Sequence, residues 1–205
     1  MAINNSQKHA LLKVAKDTVE ALITNKRLGK TGAMPPNIVK IEADDPDLAT
    51  PCGCFVTLKN HVRSASGGEE LRGCIGNFVG DRPLVEMVIE MSKASATSDP
   101  RFFDDPITPD ELPNLDIEIS VLSPLKKTND PLSLRLGIDG IYIKRGPYAG
   151  CFLPQVAEET GWTKEEFLGF CCSHKAGLPY DAWKDPKTDV LLFTAEVFGA
   201  AYKDI

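Results

Sequence analysis

Apolar residues recur at intervals of three or four positions in several stretches of the chain, and this spacing predicts amphipathic helices. The first begins at the candidate cap Asn5. Another opens with the capping box Thr163–Glu166 and closes at Gly177, which suits a left-handed helix end. The predicted helices are Asn5–Leu28, Pro83–Ala96, 154–161 and 163–177, with one further helical turn after Thr108.

Alternating apolar and polar residues predict strands elsewhere. In "GCFVTLKN", Val56 and Leu58 point to one face and Thr57 and Lys59 to the other. The predicted strands are Gly53–Asn60, Glu70–Phe78, Leu115–Leu122, Gly140–Arg145, Gly150–Leu153 and Val190–Phe198. A glycine-containing turn joins the first two strands into a hairpin. The proline-rich connection Lys30–Pro51 carries one short candidate strand, Asn37–Ile41.

Hairpins interrupted by helices, without regular strand–helix alternation, predict an α+β fold with mainly antiparallel sheets. We expect two lobes, each a two-layer sandwich of helices on a sheet. The segment "SPLKKTNDP" marks the boundary between them. The larger lobe is predicted at 1–128 plus 186–205, and the smaller lobe at 129–185.

Composition limits the classes of function. The 205 residues, 42% of them hydrophobic, can form one sizeable domain or two small lobes sharing a core. A net charge of −6 makes nucleic acid an unlikely partner. No apolar run approaches the ~20 residues of a membrane helix. The first residues lack a signal-peptide pattern, so we expect a cytoplasmic protein whose six cysteines are reduced.

Six motifs occur in order along the chain: "GCFVTLK", "LRGCIG", "DPRF", "LDIEISVLSP", "GCFLPQVAEETGW" and "KAGLP". Together they resemble the AMMECR domain family, named for the AMME chromosomal region gene 1 protein. The resemblance runs from about Gly53 to Phe198. It implies a two-lobed α+β domain and, by association, a radical-SAM or Memo-like protein partner, but it names no reaction. The family often has His-Gly where this chain has Asp139-Gly140, so no role for that histidine carries over.

The motif "LRGCIG" makes Cys74 the candidate nucleophile, because a thiol near a base or positive charge is reactive. Matching the apolar faces of the hairpin places Val56 opposite Ile75, Thr57 opposite Cys74 and His61 opposite Glu70. His61 then lies roughly 13 Å from Cys74, too far for a Cys–His pair, whereas His174 of the other lobe stays open as a partner. Arg72, expected on the same face as Cys74, is the nearer activating charge. The structural alternative is that Cys74 is a small buried hydrophobic residue.

A metal site is the second alternative. Cys52, Cys54 and Cys74 are three soft ligands, but the predicted register places Cys54 on the face opposite to Cys74. No paired Cys-x-x-Cys spacing occurs. We therefore predict no metal ligands and no cofactor.

A site for a small anionic ligand fits the motif better. Gly73 and Gly76 remove side chains beside Cys74, so a ligand or another backbone segment can approach closely. Arg72, with Lys59 opposite it, supplies positive charge. The structural alternative is that Arg72 pairs with a carboxylate such as Asp99. Four further residues are candidate ligand contacts: Asp99 and Arg101 of "DPRF", Gln155 of "LPQV" and Lys175 of "HKAG".

For "DPRF" the residues favour a buried Asp99–Arg101 brace over a ligand contact. The sequence therefore supports two functions. One is a domain with a ligand-binding or catalytic cleft around "LRGCIG". The other is a non-enzymatic interaction or scaffolding domain in which the motif surface is a docking face and Cys74 is inert.

Overall fold

A computed structural model of the chain describes residues 3–24, 45–62 and 68–205. The predicted strand at Asn37–Ile41 and the predicted end of the first helix at Leu28 lie outside these residues. The α-helices are α1 (Asn5–Thr24), α2 (Leu84–Thr97), α3 (Gln155–Thr160) and α4 (Lys164–Phe170). A π-helical turn, Cys171–Lys175, continues α4.

Among the residues that the structure describes, seven strands form antiparallel pairs. They are β1 (Cys54–Asn60), β2 (Glu70–Asn77), β3 (Leu115–Leu122), β4 (Lys126–Lys127), β5 (Asp139–Arg145), β6 (Tyr148–Phe152) and β7 (Asp189–Ala201). Their order is β2-β1-β3-β7-β5-β6, and β4 pairs with β7. The predicted α+β fold with mainly antiparallel pairing is confirmed. The sequence missed β4, because two lysines carry no alternating pattern.

The first compact unit comprises Met1–Val121 and Glu196–Ile205. Helix α2 packs on β1 and β2, and α1 packs on α2. Cys54, Val56 and Leu58 of β1 point toward α2 and are fully buried. The predicted alternation of β1 is therefore correct, and it leaves Thr57 and Lys59 on the other face, which we call the outer face of the sheet.

The second compact unit is Leu122–Ala195. Its strands are β4, β5, β6 and the first part of β7, so β7 begins in this unit and ends in the first. The predicted capping box at Thr163 is present, and Thr163 Oγ1 accepts a hydrogen bond from the Glu166 N–H. Gly177 adopts φ +66°, as a left-handed helix end requires.

Candidate functional site

A β-bulge in the hairpin organises the region around "LRGCIG". Val56 pairs with Ile75, Thr57 with Cys74 and Leu58 with Gly73, as predicted. The register then shifts, so that Lys59 pairs with Leu71 and Asn60 with Glu70. Arg72 is the extra residue of the bulge. The predicted positions of Lys59 opposite Arg72 and of His61 opposite Glu70 were therefore wrong, because the sequence pattern does not show the inserted residue.

The bulge also separates Arg72 from Cys74. Arg72 bonds to Glu111, and Glu111 accepts a further hydrogen bond from Asn60. Asn60 is buried and shares the α2 side of β1 with Leu58, so the Arg72 side chain lies on that side. Cys74 contacts Thr57 on the outer face. The expected shared face of Arg72 and Cys74 does not exist.

Arg72 is a buried structural cation. Only 1% of the residue is exposed. Its guanidinium donates to Glu111 at 3.0 and 3.3 Å and to the side chain and carbonyl of Asp105 at 2.8 and 2.9 Å. Two carboxylates thus surround one cation, which leaves this cluster negative and closed to an anion. Asp105 and Glu111, not Asp99, are the carboxylates that pair with Arg72.

The two glycines beside Cys74 make room for the protein's own atoms. A Cβ on Gly73 would lie 2.0 Å from the carbonyl oxygen of Ser95 in α2. A Cβ on Gly76 would lie 2.1 Å from the ring of Phe55. Ser95 uses this close approach: its hydroxyl accepts the Ile75 N–H at 2.9 Å and donates to the Val56 carbonyl at 2.7 Å. One helix residue thereby bridges β1 and β2 next to Cys74.

Cys74 is half-buried on the outer face of β2. The Thr57 hydroxyl donates to its Sγ at 3.2 Å. Its backbone N–H donates at 2.9 Å to the carboxylate of Asp99, which caps this edge strand. Glu118 of β3 pairs with Thr57 on the other side, so a thiol, a hydroxyl and a carboxylate form one row across three strands.

Asp99 and Arg101 form the ion pair that the sequence motif "DPRF" predicted. Asp99 is 3% exposed and receives the Arg101 Nε at 2.9 Å, the Nη2 at 2.6 Å and the Arg101 backbone N–H at 3.2 Å. The hydrogen bonds from Arg101 lower the pKa of Asp99 to about 2. The same pairing raises the pKa of Arg101. The Arg101 Nη2 also donates at 3.4 Å to the backbone carbonyl of Cys74, so the guanidinium lies beside the thiol-bearing residue.

A small cavity of about 70 Å³ lies at the C-terminal end of α2. Arg72 and Asp99 supply its charged wall, and Phe102, Phe103 and Ile107 supply apolar wall. Arg72 already donates four hydrogen bonds within the protein, and Asp99 already accepts four. The charged wall therefore has few donors or acceptors left for a ligand.

The remaining predicted contacts lie in the second unit. Lys175 belongs to the π-helical turn, and its Nζ lies 5.7 Å from the centroid of the Phe152 ring. Gln155 begins α3, and its Oε1 is buried without a hydrogen-bond partner among the described residues. Asp139, at the position where the family often has histidine, pairs with Arg135 at 2.7 Å.

Sequence reasoning missed Thr57, Ser95 and Glu118. The register of the hairpin already placed Thr57 opposite Cys74, and the alternation of "LDIEISVL" placed Glu118 outward. The positions of Thr57 and Glu118 could therefore be predicted from strand pairing. The role of Ser95 could not, because it depends on how closely α2 approaches β2.

Other chemistries find little support in the described part of the chain. It contains no group of three or more His, Cys, Asp or Glu side chains arranged to hold a metal ion. Cys54 is buried on the α2 side, and burial strongly raises the pKa of its thiol. None of the described helices is long and apolar enough to cross a membrane.

Comparison with known proteins identifies the family. The sequence model of AMMECR1 matches residues 12–198. A protein from Thermococcus kodakarensis is 39% identical over 94% of this chain and 89% of its own length, and one from Thermococcus gammatolerans is 40% identical with the same coverage. The crystal structure of an uncharacterized protein from Pyrococcus horikoshii is 36% identical, covers 98% of this chain and 94% of that chain, and has a TM-score of 0.81. With the family match spanning most of its length, the chain belongs to the AMMECR1 family.

Proposed function

We propose that this AMMECR1 domain binds a small anionic ligand beside Cys74, with Arg101 as the charged contact and the thiol as the reacting or contacting group. The observation that supports it most is that a guanidinium fixed by Asp99 also bonds to the backbone carbonyl of Cys74, whose thiol is half-exposed. Thr57 donates to the sulfur, and Asp99 holds Arg101 next to the same strand.

Arg101 is the better anion contact than Arg72. Its side chain is 54% exposed, whereas that of Arg72 is fully buried between two carboxylates. Nη2 of Arg101 lies 3.4 Å from the Cys74 carbonyl oxygen, and within the described part of the chain none of the hydrogen bonds of Arg101 uses Nη1. An anion bound at Nη1 would therefore keep the Asp99 brace intact.

A radical-SAM or Memo-like protein is the partner we propose, and this proposal rests on the family resemblance alone. The second candidate function is an interaction domain. Leu132, Leu136 and Ile138, 40%, 37% and 52% exposed, lie within one short segment of the second unit and favour it. In that case Cys74 shows no special reactivity.

The test compares two alkylating reagents of similar size, of which only one is charged. Iodoacetate is anionic and iodoacetamide is neutral, so their rate ratio at a thiol reports local positive charge. Cys151→Ser leaves Cys74 as the one half-exposed cysteine among the described residues, the others being buried. In this background we expect the iodoacetate-to-iodoacetamide ratio at Cys74 to exceed that of N-acetylcysteine amide roughly three- to tenfold at low salt.

Arg101→Gln should reduce that ratio to the value of the free thiol. Arg82→Gln, which removes another exposed arginine, one that pairs with Asp81 and Glu90, should leave it unchanged. An unreactive Cys74, or a wild-type ratio equal to that of the free thiol, would contradict the proposal and favour the interaction domain.

A further inference from the structure

The proposed site contains Asp99, which the sequence predicts as one half of a structural brace. Asp99 lies between Cys74 and Arg101, and its carboxylate accepts hydrogen bonds from both residues. Oδ2 accepts the Cys74 N–H at 2.9 Å and the Arg101 Nη2 at 2.6 Å, while Oδ1 accepts the Arg101 Nε at 2.9 Å. One buried carboxylate thus joins the backbone of the thiol-bearing strand to the guanidinium.

We propose that Asp99 is a positioning residue that holds the Arg101 guanidinium beside Cys74 and thereby gives the site its preference for anions. This inference rests on the proposed function, since it concerns how that site is built. A free arginine side chain at this exposed position has many rotamers, and few of them place its charge near the sulfur. The side-on pairing with Asp99 selects one of them.

Asp99 has two opposing effects on anion binding, and they predict opposite results on substitution. Its negative charge partly cancels the positive charge of Arg101, so a purely electrostatic role predicts stronger anion preference when the charge is removed. Its geometry fixes the guanidinium, so a positioning role predicts weaker preference. The same face also carries Lys59, which pairs with Glu69 and Glu118, and Asp116, which lies opposite Lys59 on β3; these groups stay constant in the comparison.

The chain provides a matched control in its second unit. Asp139 is also nearly buried, at 5% exposure, and it accepts the Nε, Nη2 and backbone N–H of Arg135 in the same arrangement. Asp139→Asn therefore removes an equivalent brace in the second unit. It measures the general effect of losing such a brace on folding.

The experiment measures the iodoacetate-to-iodoacetamide ratio at Cys74 in Asp99→Asn, Asp139→Asn, Arg101→Lys and Arg101→Gln, each with Cys151→Ser. The full chain is used, and near-ultraviolet circular dichroism confirms the fold. We expect Asp99→Asn to reduce the ratio at least threefold and Asp139→Asn to leave it unchanged. Arg101→Lys keeps the charge but cannot make the side-on pair, so it should also reduce the ratio. It serves as the deciding variant if Asp99→Asn fails to fold.

An unchanged or increased ratio in Asp99→Asn, or an unchanged ratio in Arg101→Lys, would overturn the positioning role. If Arg101→Gln still abolishes the preference, the proposed anion site survives that result. If the unsubstituted chain shows no preference for iodoacetate, the proposed function itself fails, and the two failures are therefore distinguishable.

Discussion

Arg72 shows how one buried side chain changes the meaning of a motif. The sequence places it two residues from Cys74, which in a regular strand means the same face. The bulge turns it to the α2 side, where Asp105 and Glu111 surround it. Burial alone would raise the pKa of Glu111, but hydrogen bonds from the Thr108 backbone and Asn60 and the charge of Arg72 outweigh it and lower that pKa. Arg72 is therefore a structural brace for 105–111.

Arg72→Ala should destabilise the fold by about 3–5 kcal/mol, because it removes one partner of a buried ion cluster and leaves the carboxylate of Glu111 without its main cation. Urea denaturation gives the free energy of unfolding. Arg82→Ala, in an exposed ion pair, is the control and should leave the midpoint almost unchanged. A variant at Arg72 as stable as the parent would show that the cluster contributes little.

At the scale of elements, β2 is held by contacts that strand pairing alone does not provide. It lies at the edge of the sheet, and its outward N–H at Cys74 is capped by Asp99. Its inward N–H at Ile75 bonds to the hydroxyl of Ser95. Gly73 permits this arrangement, because any side chain there would strike the backbone of α2. The glycines of "LRGCIG" are thus required by packing.

Ser95→Ala should cost about 1–3 kcal/mol, because the Ile75 N–H and the Val56 carbonyl both lose a buried partner. Hydrogen exchange should accelerate most at the Ile75 amide. Ser92→Ala offers a control on the same helix, since the Ser92 hydroxyl is equally buried but bonds, among the described residues, to the Val88 carbonyl of its own helix alone. Equal effects of the two substitutions would contradict a bridging role for Ser95.

At the scale of the whole molecule, several buried or half-buried carboxylates are ionised and paired. Hydrogen bonds from Arg101 lower the pKa of Asp99 to about 2, and hydrogen bonds from Arg135 lower the pKa of Asp139. A carboxyl whose pKa is lower in the folded state adds stability above its unfolded pKa. That stability disappears as the pH falls through the folded value. The chain should therefore lose stability on acidification below about pH 4.

The share of Asp99 in this loss is about 2 kcal/mol, from the difference between its ordinary pKa of 3.8 and about 2. The difference in unfolding free energy between the parent and Asp99→Asn should therefore shrink between pH 5 and pH 2. Urea denaturation across that range measures it. A difference that stays constant with pH would mean that the Asp99 charge contributes nothing to folding.

The sequence alone determined the local pattern of this protein. Periodicity, caps and turn residues predicted the helices and all strands except β4, and matching apolar faces predicted the register from Val56 to Leu58, because these depend on neighbours along the chain or across one hairpin. Tertiary structure decided three further features. These are the carboxylates that pair with Arg72, the protein atoms that occupy the space beside Gly73 and Gly76, and the Asp99 carboxylate that bonds to both Cys74 and Arg101. One extra residue in a strand moves a side chain to the opposite face of the sheet. Packing against α2 and residues 99–111 decides where that extra residue lies.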